Sequence, residues 1–104
     1  TGNDDLTYDS LSLGGSGVIS VVSNIVPRKM HDLCELFKRG TASKSKEIQL
    51  ELDELIKELF YEANPIPVKK ALSILGLCND EMRLPLTSST RSDEIACLIS
   101  KYSL

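Results

Sequence analysis

The sequence predicts a mainly α-helical chain with one β-strand near its start, in the order helix, strand, then four helices. Three observations carry this. Val18-Ile19-Ser20-Val21-Val22 is a near-continuous β-branched run, of the kind found in a parallel strand covered on both faces. Elsewhere apolar residues recur at i, i+3, i+4 and i+7, the spacing of one helical face. Glycine and proline stand at the ends of those periodic stretches, where helices stop and start. The run at 18–22 finds no second strand in the 104 residues. Its backbone groups, buried without partners, would cost about 1–3 kcal/mol each.

In order, Asn3-Asp4-Asp5 suits a helix start, because short polar side chains accept from the free N–H groups there. The helix they begin covers Leu6 to Leu13 and stops at Gly14-Gly15, residues suited to a left-handed cap. The strand at 18–22 ends in Ser23-Asn24, and Pro27 suits the first turn of the next helix. Met30, Leu33, Cys34 and Phe37 share that helix's face, and Gly40 closes it. Thr41 is the expected N-cap of the longest helix, with Ile48, Leu52, Leu55, Ile56, Leu59 and Phe60 in one stripe. The opposite face, with Glu47, Glu51, Glu54, Lys57 and Glu58, reads as solvated. Asn64-Pro65-Ile66-Pro67 breaks this helix into an extended elbow. Pro67 starts another, along Val68, Ala71, Leu72 and Leu75 to Gly76. Arg83 to Thr87 reads as an extended connector around Pro85. Thr90 and Asp93 resemble a capping box for a last helix facing inward through Ile95, Leu98, Ile99 and Tyr102. A lone strand ahead of a helix array is the plan of a barrel's closing segment followed by a helical appendix.

Composition narrows the class. Hydrophobic residues make up 41% of the chain, enough for a packed core. Twelve basic and 15 acidic residues give a net charge of −3, so no global field favours nucleic acid or an anionic membrane. No apolar stretch reaches the roughly 18 residues that span a bilayer, and the first residues lack a signal peptide's charged and apolar regions. The expectation is a soluble cytoplasmic protein with its thiols reduced, because Cys34, Cys78 and Cys97 are odd in number and widely spaced. His31 is the sole histidine and the cysteines are far apart in sequence, so no metal site and no other cofactor is expected.

Each chemistry-bearing group has a plainer reading. Gly15-Ser16-Gly17 follows a helix and opens a strand, the reverse of a dinucleotide loop, and Ser20 stands where a third glycine would be needed. Asn3, Asp4 and Asp5 could hold a cation, but helix capping uses the same residues and is favoured. Lys69 and Lys70 read as surface or carbonyl-bonding side chains rather than Schiff-base lysines. His31 reads as a surface residue, and Cys34 and Cys97 as small core hydrophobes. No catalytic constellation emerges from the residues themselves.

Four segments together, Thr1-Gly2-Asn3-Asp4, Leu13-Gly14-Gly15-Ser16-Gly17-Val18-Ile19-Ser20-Val21, Asn64-Pro65-Ile66-Pro67-Val68-Lys69 and Arg83-Leu84-Pro85-Leu86, resemble the C-terminal third of the dihydrodipicolinate synthase family. The resemblance covers essentially the whole chain. It implies an α/β parent, a (β/α)8 TIM barrel with a C-terminal helical extension. Residues 1–40 would then be the last part of the barrel: Thr1 to Asp4 ends strand 7, Leu6 to Leu13 is helix 7, Val18 to Val22 is strand 8, and Pro27 to Arg39 is helix 8. Residues 41–104 would be the extension. The family condenses pyruvate with aspartate semialdehyde, on the way to lysine and diaminopimelate, through a Schiff base on a strand-6 lysine and a tyrosine–threonine proton relay. Those residues precede this segment in the family, so the segment by itself is expected to be inactive. What carries over is Ile19, as part of the pyruvate pocket, and Gly2, where main chain approaches a small ligand. The resemblance also implies a homotetramer, with Leu6 to Leu13 near the weaker subunit interface.

Two other readings differ in class. One is a self-standing helical interaction module whose strand pairs with another copy. The other is a sister pyruvate-dependent aldolase with a different second substrate.

Overall fold

The computed structural model describes residues 1–102 and 104. It divides into two compact units, Thr1–Ile56 and Lys57–Leu104. The first holds a 3-10 turn at Asp4–Leu6, α1 (Thr7–Ser12), a second 3-10 turn at Val22–Asn24, α2 (Pro27–Lys38) and α3 (Ala42–Glu51). The unit boundary falls within α4 (Asp53–Leu59), and α5 (Ile66–Ile74) and α6 (Ser92–Lys101) belong to the second unit. No helix of the described residues is long and apolar enough to cross a membrane.

In the first unit α2 packs on α3, and α1 touches both. Leu11, Val22, Ile25, Val26, Met30 and Leu33 are buried there, and each large apolar side chain withdrawn from water contributes about 1.5–3 kcal/mol. Ser45, fully buried on α3, donates to the Leu33 carbonyl at 2.7 Å and so ties α3 to α2. Tyr8 of α1 meets Phe37 of α2 edge to face, with ring centres 5.7 Å apart. Cys34 is half-buried, and burial, the dominant influence, pushes its thiol pKa up.

Helix ends follow the expected punctuation. After α1, Gly14 takes φ +95°, a conformation that a side chain disfavours. The N–H of Gly15 donates to Ser10 O at 2.8 Å and that of Gly14 to Leu11 O at 3.1 Å, the paired bonds of a Schellman turn. A Cβ at Gly15 would lie 2.7 Å from the Ser10 carbonyl oxygen. The same two-bond closure ends α2 at Gly40 and α5 at Gly76.

The strand expected over 18–22 does not form as a regular element; the described residues contain no strand. Its pairing is limited to one residue. The Thr1 amino group donates to Gly17 O at 3.0 Å, and Ile19 N–H donates to Thr1 O at 3.0 Å. This is the parallel pattern with Thr1 opposite Val18, so the run does have a partner within the chain. The N–H groups of Val21 and Val22 go instead to the Asp4 carboxylate, which turns the chain into the second 3-10 turn rather than letting it continue as strand.

Other boundaries also shift. The expected long helix is two, α3 and α4, divided at Leu52; Asp53 and Glu54 then occupy the first turn of α4, where negative charge is favoured. Leu52, Leu55, Ile56 and Leu59 of its stripe are buried, whereas Phe60 is exposed. Thr41 holds the N-cap position of α3 without a side-chain capping bond.

In the second unit α5 packs on α6, and Leu59, Pro67, Val68, Ala71, Ile95 and Ile99 are buried. The elbow before α5 is a turn, closed by Ile66 N–H donating to Ala63 O at 2.9 Å. The connector at Arg83 to Thr87 likewise turns, with Leu86 N–H on Arg83 O at 3.0 Å. Cys97 lies exposed rather than in the core. The capping box does not form: Arg91 is the N-cap of α6, and the Thr90 hydroxyl donates to Glu62 at 3.1 Å. Glu58, expected on a solvated face, is held by Arg91 through two bonds, Nε to Oε1 at 2.5 Å and Nη2 to Oε2 at 3.1 Å. The Arg91 guanidinium also stacks 3.9 Å from the Tyr61 ring centre.

Candidate functional site

The pairing of Thr1 with Val18 places the following residues, Gly2 and Ile19, at adjacent ends of two parallel segments. Parallel segments that end together and run into loops and helices are the arrangement whose C-terminal edge carries chemistry in barrel folds. Ile19 is 87% exposed. Gly2 is exposed as well, and a Cβ there would meet nothing within 4 Å. Nothing in the packing of the described residues therefore requires glycine at position 2.

Behind this edge lies Asp4, fully buried. One carboxylate oxygen accepts the Ser20 hydroxyl; the other accepts Val21 N–H at 2.9 Å and Val22 N–H at 3.0 Å. The Asp4 backbone carbonyl accepts the Thr7 hydroxyl and the Gln49 side-chain amide, each at 3.0 Å. Gln49 Oε1 in turn accepts Tyr8 N–H at 3.0 Å. Ser20 Oγ also accepts Ser23 N–H at 2.9 Å. Asn3-Asp4-Asp5 was expected to cap its own helix, yet Asn3 makes no side-chain capping bond. Asp4 caps a turn 17 and 18 residues away. A carboxylate receiving amide N–H groups makes charge-assisted bonds, about twice as strong as neutral ones. Its removal would strand two amides, at about 1–3 kcal/mol for each that stays buried.

The remaining candidates have partners of their own. Lys69 donates through Nζ to the Glu81 carbonyl, a carbonyl bond of the kind expected, whereas Lys70 is half-buried and pairs with the Asp80 carboxylate at 2.9 Å. That ion pair, led by the Lys70 hydrogen bond, lowers the Asp80 pKa. His31 is an exposed residue 3.4 Å from Asp32. No group of three or more His, Cys, Asp or Glu side chains that could hold a metal occurs among the described residues. What the edge supplies is an apolar side chain and open backbone, with the Asp4 carboxylate behind it engaged by Ser20, Val21 and Val22. This mount was missed in the sequence. Its signal was Ser20, the single hydroxyl inside an otherwise apolar run, which needs a polar partner once the run is enclosed.

The chain as a whole is similar to proteins of one family. The family profile described as "Dihydrodipicolinate synthetase family" matches residues 1–98. A 4-hydroxy-tetrahydrodipicolinate synthase of Thermotoga neapolitana is 52% identical over 90 residues, covering 86% of this chain and 31% of the relative. One from Clostridium tetani is 50% identical over 93 residues, covering 89% and 32%. The crystal structure of dihydrodipicolinate synthase from Aquifex aeolicus superposes with a TM-score of 0.96 at 41% identity, covering 99% of this chain and 36% of that one. The chain thus spans about a third of the length of these relatives. The solved neighbours are TIM-barrel enzymes, so the mostly helical architecture is that of a barrel segment. With the match running from Thr1 through α1, the Thr1–Val18 pairing and both units, the chain belongs to the dihydrodipicolinate synthetase family.

Proposed function

We propose that this chain is the closing segment of a pyruvate-dependent lyase that condenses pyruvate with aspartate semialdehyde in the lysine and diaminopimelate pathway. Residues 1–40 complete the barrel and residues 41–104 form its helical extension. Ile19 and Gly2 line the pyruvate pocket. The Schiff-base lysine and the proton relay come from residues outside these 104, and the segment by itself is inactive. The observation that carries this reading is the parallel register of Thr1 and Val18, which supports a common edge for Gly2 and Ile19.

The proposed enzyme works in the cytoplasm as a homotetramer, with Leu6 to Leu13 at a subunit contact. Leu13 is 89% and Leu6 46% exposed, and both line an open groove of about 480 Å³ with Thr1, Asp9, Ser10, Gly14 and Gly15. Adjacent exposed leucines beside a groove are a surface that association would cover.

Borohydride reduction in the presence of pyruvate tests the reading. In the enzyme carrying this segment, peptide mapping should find the trapped adduct on a lysine outside residues 1–104, and the isolated segment should trap none. An adduct on any lysine of the segment would overturn it.

A further inference from the structure

We infer that Asp4 is a positioning residue for the pocket wall at Ile19, acting through the backbone turn that follows it. The inference rests on the proposed reading of Ile19 as a pyruvate contact and goes beyond it, because Asp4 need touch no substrate. Ile19 is fixed from two directions. On one side its N–H donates to Thr1 O at 3.0 Å. On the other, the next three residues are all anchored to one carboxylate: Ser20 by its hydroxyl, Val21 and Val22 by their amides. Asp4 lies three residues after Thr1, so both anchors of the Ile19 segment come from residues 1–4. The Asp4 main chain is itself held by Thr7 and by Gln49 of α3. The wall is therefore mounted on the start of the chain and braced by α3, while its own side chain projects free at 87% exposure.

The division of labour between the two carboxylate oxygens makes a specific prediction. Oδ2 takes both amides and Oδ1 takes only the Ser20 hydroxyl. Asparagine can reproduce this: its carbonyl oxygen accepts the two amides and its NH₂ donates to Ser20 Oγ, which accepts as readily as it donates. A mount built from hydrogen bonds tolerates that exchange, whereas a carboxylate used for its charge or basicity does not.

The test measures pyruvate KM and kcat, with hydrogen exchange at Val21 and Val22, in the enzyme carrying this segment. Asp4→Ala should raise the pyruvate KM or lower kcat/KM by on the order of 100-fold, the usual consequence of misplacing a contact by about an ångström, and should release both amides to exchange. Asp4→Asn should recover most of both losses, short of wild type only by the weaker, uncharged bonds. Ser20→Ala, the milder variant should Asp4→Ala not fold, removes the bond to Asp4 and the one from Ser23 N–H while leaving both amides on the carboxylate, and should cost roughly five- to tenfold. An Asp4→Ala enzyme with faster amide exchange but unchanged pyruvate KM and kcat would overturn the positioning role alone, leaving the lyase reading in place. So would an Asp4→Asn enzyme as impaired as Asp4→Ala with its amides still protected, because that places the effect in the charge. A wild-type enzyme that turns over without pyruvate would overturn the lyase reading and the inference with it.

Discussion

Asp4 in the first unit and Glu62 in the second do the same kind of work in different surroundings. Each carboxylate reaches across a long sequence gap to a turn that precedes a helix. Asp4 takes the Ser20 hydroxyl and the amides of Val21 and Val22, ahead of α2. Glu62 takes the Ser89 hydroxyl and both the amide and hydroxyl of Thr90, at 3.2 and 3.1 Å, ahead of α6. The difference is access to water. Asp4 and Val22 are fully buried, whereas Thr90 is exposed. Where water can replace a lost partner the contact tunes a turn; where it cannot, the contact defines one.

Substitutions at four positions break or sharpen this contrast, and the largest effect belongs to Asp4→Ala. Stranding two amides should lower the local opening free energy at Val21 and Val22 by about 2–6 kcal/mol, read by native-state hydrogen exchange. A loss no greater than that of Glu62→Ala at Thr90 would erase the contrast. Gln49→Ala, which removes the brace between α3 and the Asp4 main chain, should cost about 1–2 kcal/mol in the same measurement, with exchange rising at Tyr8.

Arg91→Ala should have a smaller effect still. It removes the two-bond fork on Glu58 and the stack on Tyr61, but near solvent. The Glu58 fork, first among the influences on Arg91, raises its guanidinium pKa. Arg91→Lys should not recover the loss in thermal denaturation, because an ammonium cannot form the planar fork.

The smallest effect is a pH dependence. The Ser89 hydroxyl, followed by Thr90 and the Arg91 charge, holds the Glu62 carboxyl below the ordinary glutamate range. A carboxyl with a depressed folded pKa contributes its full stabilisation above the unfolded value, roughly 4.3. That contribution is lost as pH falls through the lower folded value. Glu62→Gln should remove this acid-side component, seen as a shallower decline in α6 protection during acid titration.

What the sequence made legible was mainly local. Gly14, Gly40 and Gly76 mark three helix ends because a left-handed cap is a local demand. Buried faces of α2, α5 and α6 follow from spacing alone, as Met30, Leu33, Val68, Ala71, Ile95 and Ile99 show. The readings that failed were those decided by distant partners. Val18 to Val22 has the composition of a strand, but Asp4 draws off the amides of Val21 and Val22. Thr90 has the spacing of a capping box, but Glu62 competes for it from 28 residues away. Glu58 looks solvated until Arg91, 33 residues on, closes over it. For the candidate site, family resemblance singles out Gly2 and Ile19, which remain a proposal. Their mount was not legible, because a buried Asp and a capping Asp have the same spelling.

The central claim, that Gly2 and Ile19 edge a pyruvate pocket mounted on Asp4, is tested most directly by one structure: the enzyme carrying this segment, reduced with borohydride in the presence of pyruvate. The claim predicts the trapped three-carbon unit on a lysine outside residues 1–104, with the Ile19 side chain within about 4 Å of it and Asp4 still bonded to Val21 and Val22. An adduct remote from Ile19, or Ile19 left facing solvent beside an occupied pocket, would contradict it.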